Sequence, residues 1–98
     1  MNEKKIKQKQ LDFDKKNLIE SAVFKRLVQH LQNDTNLQNI DLMNLAGFCR
    51  NCLAKWYVEE AKKQGLDEFF TFDSIREMIY GMPYDKWKKK YQKPIDPQ

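Results

Sequence analysis

Between Asp12 and Gln32 the apolar residues Phe13, Leu18, Ile19, Ala22, Val23, Leu27, Val28 and Leu31 recur at the three-and-four spacing of an amphipathic helix, and Phe24 broadens the stripe. A chain that opens this way is committed to burying helices against one another. The helix stops at Asn33, Asp34, Thr35 and Asn36, whose side chains compete for backbone hydrogen bonds. Ahead of it, residues 1–11 are polar and without a usable period. They are expected to fray or to extend the first helix, as a flexible lysine-rich extension.

The same period continues downstream. A second helix is predicted from Asp41, whose carboxylate accepts from freed amides of the first turn, to about Gln64, with Gly65 as a left-handed C-cap and Lys62 and Lys63 near the negative end of the dipole. Leu42, Leu45, Ala46, Cys49, Cys52, Leu53 and Trp56 share one face of it, and Met43, Phe48 and Tyr57 extend the apolar surface. So much apolar girth predicts the central helix of the fold, or one with both an internal and an intermolecular contact, with Gly47 and Ala54 allowing close approach of another backbone. The connector Leu66 to Phe72 is expected to tuck Phe69, Phe70 and Phe72 into the core. A third helix begins near Asp73 or Ser74, where Ser74 and Glu77 match a capping box and Thr71 and Asp73 compete, carries Ile75, Met78 and Ile79 inward, and ends at Gly81. Pro83 suits the first turn of a short fourth helix with Tyr84, Trp87 and Tyr91 on its inner side. The fold class is therefore all-α, an irregular array of four to five helices, as one helical domain over residues 12–92 with a disordered tail over 93–98.

Ninety-eight residues make a thin core, because a chain of this size buries only about 60 to 70% of the surface its unfolded form exposes. Burial of further surface in a dimer is expected. No run approaches the ~20 apolar residues of a membrane span, and no apolar stretch follows the lysine-rich start as a signal peptide requires, which predicts a cytoplasmic protein. Two cysteines three positions apart are not a secreted disulfide framework, so reduced thiols are expected. The net charge of +4 is unevenly placed. Residues 1–16 carry six lysines against three carboxylates, residues 86–98 carry five lysines against Asp96, and the segment between holds seven basic and ten acidic side chains. A nucleic-acid reader concentrates its cations on a structured face, whereas here they sit at the ends, so nucleic-acid binding is not expected.

Cys49, Cys52 and His30 are the side chains with chemistry to offer. On a continuous helix Cys49 lies eight residues past Asp41, beyond the reach of the N-terminal dipole, and side chains three apart keep their Cβ atoms about 5 to 6 Å apart. A relaxed disulfide needs about 3.5 to 4.5 Å, so a Cys49–Cys52 bond is expected to be strained and catalytic disulfide chemistry is not predicted. Two thiolates at this spacing can converge on one ion at about 2.3 Å, with His30 and a further ligand completing zinc or another transition metal. Buried structural thiols are the simpler reading, and no cofactor is expected. His30 more simply caps the last carbonyls of the first helix. Arg50 and Asn51 lie roughly 100° and 200° around the helix from Cys49, so one points to a neighbouring segment or a partner subunit, with Asn44 and Asp41 in a shared polar network. With no phosphate-cradling glycine loop and no nucleophile beside the single histidine, the chain reads away from an enzyme.

The segment from Gln38 to Tyr57, with Phe48-Cys49-Arg50-Asn51-Cys52 at its centre, and the later Tyr80-Gly81-Met82-Pro83-Tyr84 turn resemble the DUF1244 family of short bacterial proteins of unknown function. The likeness is expected to run from the first helix to Lys88. It implies an irregular helical fold that assembles as a homodimer, and no activity. It marks Phe48, Cys49, Arg50, Asn51, Cys52 and Tyr84 as a shared site, with a pocket expected where the Cys49 face, His30 and the Tyr84 turn approach one another. Three functions follow as expectations. The first is a dimeric interaction or adaptor module that binds an unknown protein through exposed parts of the second helix and the aromatic C-terminal turn. The second is a metal-binding or thiol-sensing protein, and the third an RNA- or ribosome-associated accessory protein.

Overall fold

A computed structural model describes the backbone of residues 2–94 and the side chains from residue 12 onward; the end of the predicted tail, residues 95–98, lies outside the described residues. Among the described residues five helices follow one another: α1 (Asn2–Asn33), α2 (Asn39–Ala46), α3 (Arg50–Lys63), α4 (Phe72–Tyr80) and α5 (Tyr84–Tyr91). The lysine-rich start thus takes the form of an extension of the first helix.

The predicted second helix is two helices. Gly47 takes the left-handed conformation (φ 76°) and its amide closes α2 onto the Met43 carbonyl at 3.0 Å. Phe48 then turns into the core, and Cys49 lies in extended backbone (φ −142°, ψ −178°) as the N-cap of α3. Nothing lies within 4 Å of where a Cβ on Gly47 would sit. The glycine is there for its backbone conformation and not for close approach, which is why periodicity alone read through it. The start also shifts. Gln38 is the N-cap and Asp41 the third helical residue, its carboxylate accepting from the Gln38 amide at 3.2 Å.

Helix α4 is the element on which α1, α3 and α5 all pack, so the central position falls to it and not to the Cys-bearing helix. Thr71 wins the competition to cap it, its hydroxyl accepting from the Ser74 amide at 3.2 Å. Ile75 and Ile79 are buried as expected, but Met78 is exposed. Of the three connector rings only Phe70 packs on the core; Phe69 and Phe72 are exposed, and Tyr57 takes Phe70 edge-on at 5.6 Å. Gly81 ends α4 in the left-handed region (φ 77°), pressed against the Gln32 side chain of α1, whose amide donates to the Met78 and Ile79 carbonyls at 3.0 and 3.2 Å. The core is Val28, Leu31, Leu42, Cys49, Leu53, Ala54, Ile75 and Ile79.

Among the described side chains of α1, only those from Phe24 onward join that core. Phe13, Leu18, Ile19 and Val23 are between 60 and 69% exposed, and the molecule is drawn out to 67 × 28 × 21 Å by the projecting helix. Among the described residues no helix is long and apolar enough to cross a membrane.

Candidate functional site

The break between α2 and α3 remakes the geometry of the cysteines. Cys49, as N-cap, and Cys52, in the first turn, point to the same spot over the start of α3, and their sulfurs lie 3.5 Å apart. An N-cap residue has non-helical backbone angles, which swing its side chain toward the third residue of the helix; that is how a capping serine reaches its amide. The strain expected for two cysteines within one continuous helix therefore does not apply. Both are free thiols. Cys49 is buried and Cys52 half-buried, with the Met43 sulfur 3.8 Å from the Cys52 sulfur on the outer side. Burial pushes the Cys49 thiol above the usual range, and the neighbouring Cys52 thiol adds to this, while the backbone amides of Cys52 and Asn51 pull it back.

The two residues between the cysteines are clamped. Arg50 is 1% exposed, and its guanidinium donates to the carbonyls of Leu37 (2.7 Å), Asp34 (2.9 Å) and Leu31 (3.0 Å) and to Asn39 Oδ1 (3.1 Å), with its face 5.0 Å from the Trp87 ring. A helix ends with carbonyls that have no partner inside it and with a partial negative charge. A buried cation placed on the end of α1 answers both, and at that site the Arg50 pKa is lowered by burial and held up by Tyr80, Asp34 and Cys49. The capping role expected of His30 is thus filled by Arg50. His30 itself is exposed in the last turn of α1.

Asn51 accepts from the Tyr80 hydroxyl at 2.8 Å, and that hydroxyl accepts from Asn39 Nδ2 at 2.9 Å. Burial raises the Tyr80 phenol to about 12. The polar network therefore runs through Asn39 and Tyr80, not through Asn44, which is exposed, or Asp41, whose carboxylate accepts from the Gln38 amide at the start of α2. Tyr84 meets Tyr80 edge-on at 5.2 Å and lines a cavity of about 140 Å³ with Asn39, Asn51 and Trp87. Gln38 closes the far side: its side-chain amide donates to the Tyr91 carbonyl at 3.0 Å and its oxygen accepts from the Lys93 amide at 2.9 Å.

Of the residues marked by the sequence, Cys49 and Cys52 meet directly, and Asn51 meets Tyr84 through Tyr80. Phe48 stacks toward Trp56 at 6.1 Å. Among the described residues no three of His, Cys, Asp and Glu converge where they could hold a metal ion, so His30 is not gathered with the thiols. Asn39 and Gln38 carry no signal that sequence reasoning would find, since both fall in an apparent connector. Tyr80 is visible only as the residue before the Gly81 turn.

A second feature lies between α1 and α3. Phe24, Leu53, Trp56, Tyr57, Leu66 and Phe70 line an open apolar groove of about 770 Å³ with Glu20 and Glu60 at its edge.

Residues 37–98 match a protein family described as "Protein of unknown function (DUF1244)". The match begins after α1 and takes in the whole cysteine corner, whereas the likeness was expected from the first helix onward. No curated protein matches the chain.

Proposed function

This chain belongs to the DUF1244 family, and from that premise we propose that it is a helical interaction module that assembles as a homodimer through α1 and leaves the outer face of α2 for a protein partner. One observation carries the reading: Phe13, Leu18, Ile19 and Val23 are large, apolar and mostly exposed on a stretch of α1 that packs on nothing in the monomer, residues 12–23 being exposed throughout. By helical geometry Leu18, Ile19 and Val23 centre on the side away from Val28 and Leu31, the α1 residues that pack in the core. Contiguous apolar surface of this kind marks an interaction site.

A second copy is the occupant that the chain's own charges favour. The start of the chain is basic, with Lys15 and Lys16 beside the stripe, and Glu20 and Glu60 rim the groove one turn further along, each in an exposed pair within the chain (Lys16–Glu20 at 3.9 Å, Lys63–Glu60 at 2.8 Å) that exchange with a second copy's lysines would replace. Two α1 helices laid antiparallel about a two-fold axis bring each basic end toward the acidic rim of the other, and such an isologous contact closes on itself. Ile40, Met43 and Leu45 remain exposed on α2 as the surface for an unknown protein partner. Sedimentation equilibrium checks the assembly. The full chain is expected at twice its 11.8 kDa mass, and the Ile19→Asp/Val23→Asp variant at the monomer mass with its helical circular dichroism kept. A wild-type monomer across the micromolar range defeats the reading.

A second reading, thiol sensing or soft-metal binding, is favoured by the 3.5 Å contact of the two sulfurs with a thioether beside them. Soft thiolate and thioether donors suit zinc or copper(I). Native mass spectrometry of reduced protein with zinc added tests it by retention of a metal increment that Cys49→Ala abolishes.

A further inference from the structure

We propose that Cys49 and Cys52 form a dithiol–disulfide exchange site whose substrate is a small-molecule disulfide, with Cys52 as the attacking thiol and Cys49 as the resolving one.

Three observations carry this independently of how the chain assembles. The sulfurs are in contact at 3.5 Å, so closing to the bond length of about 2.05 Å needs only a modest rotation of side chains that already face each other. The residues between them do not have to move: Arg50 is anchored on three carbonyls and on Asn39, and Asn51 is held by Tyr80. The two thiols also differ in access, since Cys49 is buried in the core cluster and Cys52 is half-buried beside the exposed Met43. An outside reagent meets Cys52 first. That order follows from exposure, and the upward push on the Cys49 thiol agrees with it, because only a thiolate attacks.

The exchange balances without any further reagent. Cys52, having given its proton to solvent, attacks one sulfur of the disulfide RSSR; the S–S bond breaks, and RS⁻ leaves and takes up a proton. Cys49 then loses its proton and attacks the Cys52 sulfur of the mixed disulfide, which releases the second RS⁻ to be protonated in turn. The protein dithiol is oxidised to one intramolecular disulfide while RSSR is reduced to two RSH. Run backwards, the oxidised protein reoxidises two thiols. The start of α3 favours the Cys49 thiolate as it forms, through the amides of Asn51 and Cys52 that already draw on its sulfur.

The test uses the reduced full chain, incubated without oxygen against mixtures of oxidised and reduced glutathione, quenched with an alkylating reagent and weighed intact. The expected product is a chain lighter by two hydrogens, unalkylated and without adducts. The Cys49→Ser variant is expected to accumulate one glutathione adduct at Cys52, and the Cys52→Ser variant to react more slowly by roughly an order of magnitude. Stable adducts on both cysteines of the wild type, disulfide-linked dimers in place of the internal bond, or thiols that stay reduced at every ratio would each overturn the proposal. If the Cys49 variant does not fold, the wild-type mass alone decides. Sedimentation of the same oxidised sample keeps a failed dimer separate from a failed exchange.

Discussion

The N-terminal half of α1 and the α2–α3 corner are opposite solutions to the same problem, that of placing an apolar helix in a chain of 98 residues. In α1 the periodicity is long and regular, yet its apolar residues between Phe13 and Val23 are left facing outward. At the corner the periodicity is equally good, but the helix that it predicts is broken by three residues, Gly47 to Cys49, and the residues that follow the break are buried or hydrogen-bonded: Cys49 in the core, Arg50 on the end of α1 and Asn51 on Tyr80. Regular spacing reports what a helix could bury. Whether it does so depends on what stands opposite, and the corner shows that a local interruption can be worth more than another uninterrupted turn, because it brings a buried cation onto the end of α1 and two sulfurs into contact.

If that contrast is right, substitutions in the two regions separate cleanly. Arg50→Ala leaves the buried Leu31 carbonyl and the part-buried carbonyls of Asp34 and Leu37 without their donor and empties space against Trp87, so it is expected to cost about 3 kcal/mol or more, read as a lower urea midpoint or outright loss of folding. Tyr80→Phe removes one hydroxyl that donates to Asn51 and accepts from Asn39, and is expected to cost about 1 to 2 kcal/mol. The same residue gives a pH dependence. Its phenol titrates higher in the fold (about 12) than its ordinary value of 10.0, so its contribution is complete below pH 10 and is lost as pH rises toward 12. Urea midpoints of wild type and Tyr80→Phe are expected to converge over that window. The smallest effect belongs to α1: Val23→Asp, measured at concentrations where the chain is monomeric, is expected to change stability by less than about 0.5 kcal/mol while abolishing the concentration dependence of the wild type. A large loss of monomer stability at Val23 would erase the distinction between the regions.

The helical class, the stop at Asn33, the left-handed glycine at 65, the end of α4 at Gly81 and the inward Trp87 are legible in the sequence, because each depends on a few neighbouring residues. The corner is not. Gly47 within an apolar helical stripe satisfies the periodicity equally well as a helix interior or as a C-cap, and what decides between them is distant in sequence: the end of α1, to which Arg50 reaches back nineteen residues, and Tyr80, twenty-nine residues beyond Asn51. The motif around Cys49 was recognisable as richer than packing requires, but the roles within it were not. One of Arg50 and Asn51 is expected to point to a neighbouring segment; both do, Arg50 as a buried cap on the end of α1 and Asn51 on Tyr80, while Asn39, the partner of Arg50, stands in an apparent linker. The strain expected of the two thiols belongs to a helix interior that they do not occupy.

Backbone carbon-13 chemical shifts across residues 41–56 of the reduced protein test the corner most directly. The account predicts helical shifts to Ala46, a left-handed signature at Gly47, extended values at Cys49 and helical shifts again from Arg50. Unbroken helical shifts from Asp41 through Trp56 would contradict it, and would return the two cysteines to a helix interior where their sulfurs do not meet.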